Sequence, residues 1–395
     1  MRLTHAEINL KNLQNNIKNI KSLLKPETLV CAAVKADGYG NGAVECAKAA
    51  VEAGASYLAV AAVEEGIELR NSGIKTPILM LSLCSPGEVE DAVRYQITPL
   101  VFDSEYAELF NEKINELKGT LDYSGSEKIG DKKFAVHLAI DSGMGRIGCL
   151  PEQASDVAFK INSTENLILG GMCTHFAVAD SISSKDKKYT EQQFNNFMCA
   201  VSNVEKAGIN PGIRHCCNSP ALLTHPEWQL DMVRPGIIVY GYYCDQVTKK
   251  YLADNKIHFN IKPVMTLVSG VSAIRHFTKG KSVSYGHTWT AKKDTDIAVI
   301  PAGYGDGFLR RFKDCVKPVI NGKSYPIRGR ICMDQFMIDI GSENDDVKRW
   351  DRVILFGSKE DGAMCDAQDI ADATGTIPYE IMTGITKRVE RVYIK

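Results

Sequence analysis

Residues 29–42 read LVCAAVKADGYGNG, an unbroken apolar run that ends in Lys35 and then meets glycines at 38, 40 and 42. A short continuous apolar run bounded by turn residues is a strand buried on both faces, as in a parallel sheet. The glycines let the backbone turn tightly beside whatever the lysine reaches. Upstream, Leu10, Leu13, Ile17, Ile20 and Leu24 recur every three or four residues after an N-cap at Asn9, which predicts an amphipathic helix. Downstream, further apolar runs cover Tyr57 to Ala61, Ile78 to Leu81, Ile97 to Val101, Ala135 to Ile140, Ile168 to Thr174, Ile213 to Cys217 and Val233 to Tyr240.

With Leu29 to Val34 these make eight runs, separated by helical stretches such as Gly42 to Gly54 and Tyr189 to Gly208. Eight strand and helix units in about 240 residues fit a TIM-type (β/α)8 barrel within an α/β fold. An open doubly wound sheet shows the same alternation, and the clustering of chemistry at strand ends favours the barrel. Tyr123 to Lys133 reads as a surface loop. After Tyr251 helical periodicity nearly vanishes, and alternating β-branched runs with turn signals such as Asn321-Gly322 predict a mostly-β second domain. The expected division is 1–250 and 251–395.

The 395 residues are 44% hydrophobic and 24% charged, which excludes a disordered or collagen-like chain. Lys plus Arg total 47 against 48 acidic residues, without a dense basic run, so nucleic acid is not an expected partner. No segment reads as a membrane span or a secretory leader, and the twelve cysteines are scattered apart from Cys216-Cys217. The expectation is a cytoplasmic protein whose cysteines are buried hydrophobes. Dispersed histidines and the absence of CxxC pairs point away from a metal.

In a barrel the functional groups gather where strands end. Lys35 ends the first run, and a lysine there is costly to bury unless it is paired or used covalently, as in Schiff-base chemistry. A surface lysine in a glycine turn is the plain alternative. The seventh run leads into NSPA, where Ser219 followed by Pro220 reads as an N-cap with proline at the first helical position. The eighth reads MVRPGIIVYG, and Gly236 lets the backbone approach an anion. Phosphate sites in these barrels are built after strands seven and eight, which makes Ser219, Gly236 and Ile237 candidates for a cradle. A lysine on strand one opposite that cradle points to pyridoxal phosphate. Arg146 after the fifth run, His175 after the sixth and Arg234 within the eighth fall at the same rim. Tyr285, Tyr304 and Met333 with Asp334 are offered by the β domain, where each tyrosine alone reads as a packed aromatic.

The segments VKADGYGNG, DSGMGRIG, THFAVAD, NSPA, VRPGIIVYG, VSYG, GYGDG, GRICMDQ and TIPYEIMTGITKRVERVY follow one another in a chain that closely resembles the alanine racemase family over almost its whole length. The resemblance implies a pyridoxal-phosphate enzyme interconverting L- and D-alanine. It further implies a homodimer in which each active site joins the barrel of one subunit to the β domain of the other. Lys35 then carries the cofactor, and Tyr285 enters from the partner. Tyr39, Ser219, Gly236, Ile237 and Tyr379 match positions that hold the phosphate. Arg146 and the amide of Met333 match those taking the substrate carboxylate. Arg234 matches the arginine at the pyridine nitrogen, and His175 the histidine linking it to Tyr285.

Racemisation needs a proton removed on one face of Cα and delivered on the other, hence two bases, Lys35 and Tyr285. Many members carry a carbamylated lysine two residues before the aspartate of DSGMGR; here that position is Ala139, so the support of Arg146 must differ. Tyr379 favours alanine over serine, since related serine racemases replace it with a smaller polar residue. The competing readings are a serine or broad-specificity racemase, a related decarboxylase, and a non-catalytic cofactor carrier, against which the β domain with Tyr285 and Met333 counts.

Overall fold

The computed structural model describes residues 2–342 and 344–395. Strand β1, His5–Asn9, precedes the helix Leu10–Lys21, whose N-cap Asn9 accepts from the Asn12 N–H at 2.9 Å. The barrel strands follow as β2 Leu29–Ala33, β3 Tyr57–Val60, β4 Ile78–Met80, β5 Ile97–Thr98, β6 Leu100–Val101, β7 Phe134–Ala139, β8 Leu167–Cys173, β9 Ile213–His215 and β10 Met232–Val233. β5 and β6 form one stave interrupted at Pro99, which has no N–H to give the ladder. The remaining ladders are parallel, in the order β10-β2-β3-β4-β5 and β6-β7-β8-β9. The ring closes between β9 and β10, where the Asp231 N–H donates to Arg214 O at 3.1 Å and the Arg234 N–H to Cys217 O at 2.9 Å. The barrel reading holds, and the open sheet does not.

The runs were read too long at their ends. In place of a strand over Val233 to Tyr240 there is the two-residue strand Met232–Val233, then Arg234, Pro235 and Gly236, then a 3-10 turn Ile237–Tyr240. Proline ends the ladder because it cannot donate, and the apolar residues beyond it are buried in the turn. The predicted helices are present as Ala43–Glu52 and Ser184–Lys206.

The C-terminal region builds a sheet of mainly antiparallel strands over 323–324, 319–320, 352–356, 265–270, 5–9 and 390–394, and a second of 273–277, 295–300, 336–341 and 327–328. Asn321-Gly322 forms the expected hairpin, with φ of 49° and 77°. β1 pairs antiparallel with Met265–Gly270 and parallel with Glu390–Ile394, so the start of the chain lies in the C-terminal region's sheet. Burial follows the architecture. β3 and β4 are buried along nearly their whole length, whereas Phe336–Gly341 alternates buried and half-buried residues, as an antiparallel strand with one core face must. No helix among the described residues is long and apolar enough to cross a membrane.

Candidate active site

Lys35 follows β2 and opens a turn that is left-handed throughout: Ala36, Asp37, Gly38, Tyr39 and Gly40 have φ of 51°, 54°, 59°, 53° and 80°. The hydrogen bonds Gly38 N–H to Val34 O (2.8 Å) and Gly40 N–H to Ala36 O (2.9 Å) make it one turn of left-handed helix. For residues with a Cβ this conformation costs roughly 1–2 kcal/mol each, so three of them here store strain. Side chains hold the turn in place. Glu65 accepts from the amides of Ala36 (2.6 Å) and Ala61 (2.7 Å), and Asp37 accepts from the Ala43 amide that starts the next helix (2.9 Å). A Cβ on Gly40 would lie 2.3 Å from the Met382 carbonyl, and Arg391 Nε donates to Gly40 O at 3.0 Å, so the C-terminal segment clamps the turn.

A cavity of about 340 Å³ at this mouth is lined by Lys35, Ala139, Arg146, His175 and Arg234, from four barrel staves and the loops after them. An adjoining cavity of about 250 Å³ shares Lys35, His175 and Arg234 and adds Tyr39, Ser219, Gly236 and Tyr379. Ser219 is not the helix N-cap: Asn218 is, accepting from the Ala221 N–H, and Ser219 Oγ instead accepts from the Gly236 N–H at 2.8 Å. The bond ties the strand-seven and strand-eight loops together. A Cβ on Gly236 would meet the Tyr39 hydroxyl at 2.6 Å. The Tyr39 ring packs between Tyr240 and Tyr379, with centroids at 4.8 and 5.7 Å.

Arg234 is 6% exposed and has no carboxylate partner among the described residues. Nη1 donates to His215 Nδ1 (2.7 Å) and His215 O (2.8 Å); Nη2 donates to Thr174 O (2.6 Å) and more weakly to Cys216 O (3.4 Å). These engage four of the five guanidinium N–H groups and leave Nε–H free. His215 Nε2 in turn lies 2.8 Å from His137 Nδ1. His215, rather than His175, is therefore the histidine bonded to Arg234, and neither His215 nor His137 was singled out in the sequence.

Burial first, and the crowding of positive charge second, set the protonation states. Burial, then Arg146 and Arg234, lowers the Lys35 pKa, with Glu65 opposing. Burial, then Arg234, Arg146 and Lys35, brings His175 down to about 3. Burial and Arg234 put His137 at about 4 and His215 well below its usual range. The histidines are neutral near pH 7. Arg146 has no ion-pair partner among the described residues, and Ala139, which has no charge to offer it, lines the same cavity.

Tyr285 and Met333 are not brought to this cavity. They are 70% and 52% exposed, neighbours on the C-terminal region's surface through Ser284 Oγ, which donates to Arg330 O at 2.7 Å and contacts Cys332 Sγ at 3.5 Å. Ser284 and His287 have φ of 66° and 47°, so Tyr285 sits on a strained turn. The CMD loop is held by a network missed in the sequence. Fully buried Asp306 accepts from Arg2 Nη1 (2.5 Å) and Arg388 Nε (2.9 Å), and Arg388 Nη2 donates to Asp334 at 2.7 Å.

A barrel carrying a depressed-pKa lysine in a cationic pocket, followed by a β region with an exposed tyrosine, defines a barrel enzyme built for an anionic group beside an amine. Comparison with known proteins makes this specific. The family description "Alanine racemase, N-terminal domain" matches residues 8–244, and "Alanine racemase, C-terminal domain" matches 264–393. The alanine racemase of Treponema denticola is 46% identical over 100% of this chain and 99% of its own. The alanine racemase structure from Clostridium difficile 630 is 40% identical with a TM-score of 0.89, covering 100% of this chain and 96% of that one. That from Bacillus anthracis, described with bound L-Ala-P, is 33% identical with a TM-score of 0.86, covering 100% and 96%. The chain belongs to the alanine racemase family, isomerases that interconvert L- and D-alanine.

Proposed function

We propose that the chain racemises alanine with pyridoxal phosphate held at Lys35, by a two-base mechanism in a homodimer with shared sites. The observation that carries this reading is the separation of the two bases: Lys35 lies in the barrel cavity, whereas Tyr285 and Met333 stand exposed outside it. The cavity fits the cofactor. Gly236 leaves room beside the Tyr39 hydroxyl that a side chain would fill. The N–H of Ile237 opens a 3-10 turn and has no partner within it. The hydroxyls of Tyr39 and Tyr379, with Ser219, Gly236 and Ile237, complete the phosphate cradle.

When bound, pyridoxal phosphate supplies a conjugated system that delocalises the electron pair left on Cα. Lys35, its pKa lowered by burial and two arginines, moves the proton on one face at its Nζ, and Tyr285 of the other subunit does so on the opposite face at its hydroxyl. Arg234, whose Nε–H has no protein partner among the described residues, would hold the ring-nitrogen side of the cofactor and, being unable to give up its proton, would restrain the electron sink and thereby side reactions. His175, neutral and sharing the cavity wall with Arg234 but not bonded to it, would meet the Tyr285 hydroxyl of the other subunit. Arg146 and the Met333 amide take the substrate carboxylate, and the Arg388–Asp334 bond steadies the Met333 loop. Tyr379 tightens the phosphate side and favours alanine over serine. The functional division falls near residue 250, and the enzyme works in the cytoplasm, supplying D-alanine for peptidoglycan.

Mixing inactive Lys35→Ala and Tyr285→Phe proteins tests the shared site. Subunit exchange should restore about one quarter of wild-type activity, since half the dimers are mixed and each of those holds one intact site. No recovery despite verified exchange would place both bases in one chain.

A further inference from the structure

We propose that the barrel mouth opposite Lys35 holds a second site, for a small multiply charged oxyanion of the phosphate-ester or polycarboxylate kind. Lys35 stands at the C-terminal end of its strand, whereas a cavity of about 290 Å³ is lined by Lys75 and Pro77 before β4, Gln96 before β5 and Lys133 before β7, at the N-terminal ends. Loop residues 127–132 cover it from the side. At roughly 30 Å³ per water, this is about ten waters' worth of space, near the lower bound for small-molecule pockets.

Charge distinguishes it. Arg70, Lys75, Lys128, Lys132 and Lys133 line the cavity against Asp122 and Glu127, a local excess of three positive charges in a chain of net charge −1. Both carboxylates are already engaged. Asp122 accepts from Gln96 Nε2 (2.9 Å) and Ser124 Oγ (2.7 Å), and Glu127 pairs with Lys132 at 3.0 Å.

Arg70 is 5% exposed, with the Tyr123 ring centroid 5.3 Å from its guanidinium carbon. Nε donates to Tyr95 O, Nη1 to Ile74 O and Thr76 O, and Nη2 to Gln96 O, which leaves one N–H. Among the described residues no carboxylate pairs with it, so a buried charge is solvated only by carbonyl dipoles. A guanidinium with a free N–H in the same cavity as two lysines, Lys75 and Lys128, that lack ion-pair partners among the described residues is a recognition set for an oxyanion.

Titration calorimetry of the cofactor-loaded enzyme at low salt, with inorganic pyrophosphate and separately with citrate, tests the site. One saturable equivalent is expected for at least one probe, weakening as salt rises. The probe that binds identifies phosphate or carboxylate as the ligand class. The variant Lys75→Ala/Lys128→Ala changes two exposed side chains far from Lys35; it should bind about tenfold more weakly while racemising alanine at the wild-type rate. Absence of saturable binding with both probes would overturn the proposal. So would undiminished affinity in the double variant, which would place the anion at the Lys35–Arg146 mouth.

Discussion

Arg234 Nη1 donates to His215 Nδ1 across 2.7 Å, and this one contact sets the tautomers of two buried histidines. Because guanidinium only donates, His215 Nδ1 must accept, so its proton sits on Nε2 and is given to His137 Nδ1 at 2.8 Å. Arg234 is thereby aimed without a carboxylate, and its positive charge remains uncompensated toward the cavity.

Replacing His215 by Phe leaves an Arg234 N–H and His137 Nδ1 without partners in a buried place. A loss of about 1–3 kcal/mol in unfolding free energy is expected by urea denaturation, with weaker cofactor retention. Unchanged stability would show that the relay carries no load.

The buried histidines make stability depend on pH. His175 and His137 have folded pKa values of about 3 and about 4 against an ordinary 6.5, so below 6.5 the unfolded chain binds more protons than the folded one. Stability is therefore full above 6.5 and falls as pH drops toward 4, by roughly 1 kcal/mol per pH unit per histidine. Melting temperature from pH 8 to 4.5 should decline through this window, less steeply in His137→Asn.

Gly40→Ala places a Cβ 2.3 Å from Met382 O at a φ of 80°. A cost of about 1–3 kcal/mol is expected, with faster cofactor loss as the Lys35 turn is pushed from its clamp. Thermal unfolding and dialysis at fixed cofactor concentration measure both.

Tyr285→Phe should slow α-proton exchange from L-alanine by about a hundredfold or more while that from D-alanine falls much less. Deuterium incorporation followed by NMR for each enantiomer separates them. Equal residual exchange would contradict the assignment of opposite faces.

Tyr379 lines the same cavity as Tyr39, with ring centroids 5.7 Å apart. Tyr379→Asn should raise the serine-to-alanine ratio of kcat/KM by about tenfold, read by chiral chromatography. An unchanged ratio would remove this residue from specificity.

Legibility in the sequence followed range. Lys35 and its glycine turn, the Asn9 cap and the Asn321-Gly322 hairpin could be read because each is decided within a few residues. Three strained residues, Ala36, Asp37 and Tyr39, carry no glycine signal, since Glu65 and Asp37 hold them through contacts. The eighth apolar run extends past its strand because apolar content reports burial and not strand, and the ladder stops short of Pro235. β1 was missed because five residues pair with strands near positions 265 and 390.

The sequence alone determined the alternation of strands and helices, the change of texture after the barrel, the family and the cavity's Lys35, Arg146, His175 and Arg234, because period and turn chemistry are local properties of a chain. Only the tertiary structure decided that His137, His215 and Arg234 form one buried relay, that Asp306 joins Arg2 to Arg388, and that Tyr285 stands outside the cavity of Lys35. Those relations depend on barrel closure and strand register, which bring side chains from distant segments within hydrogen-bonding distance and have no local signature.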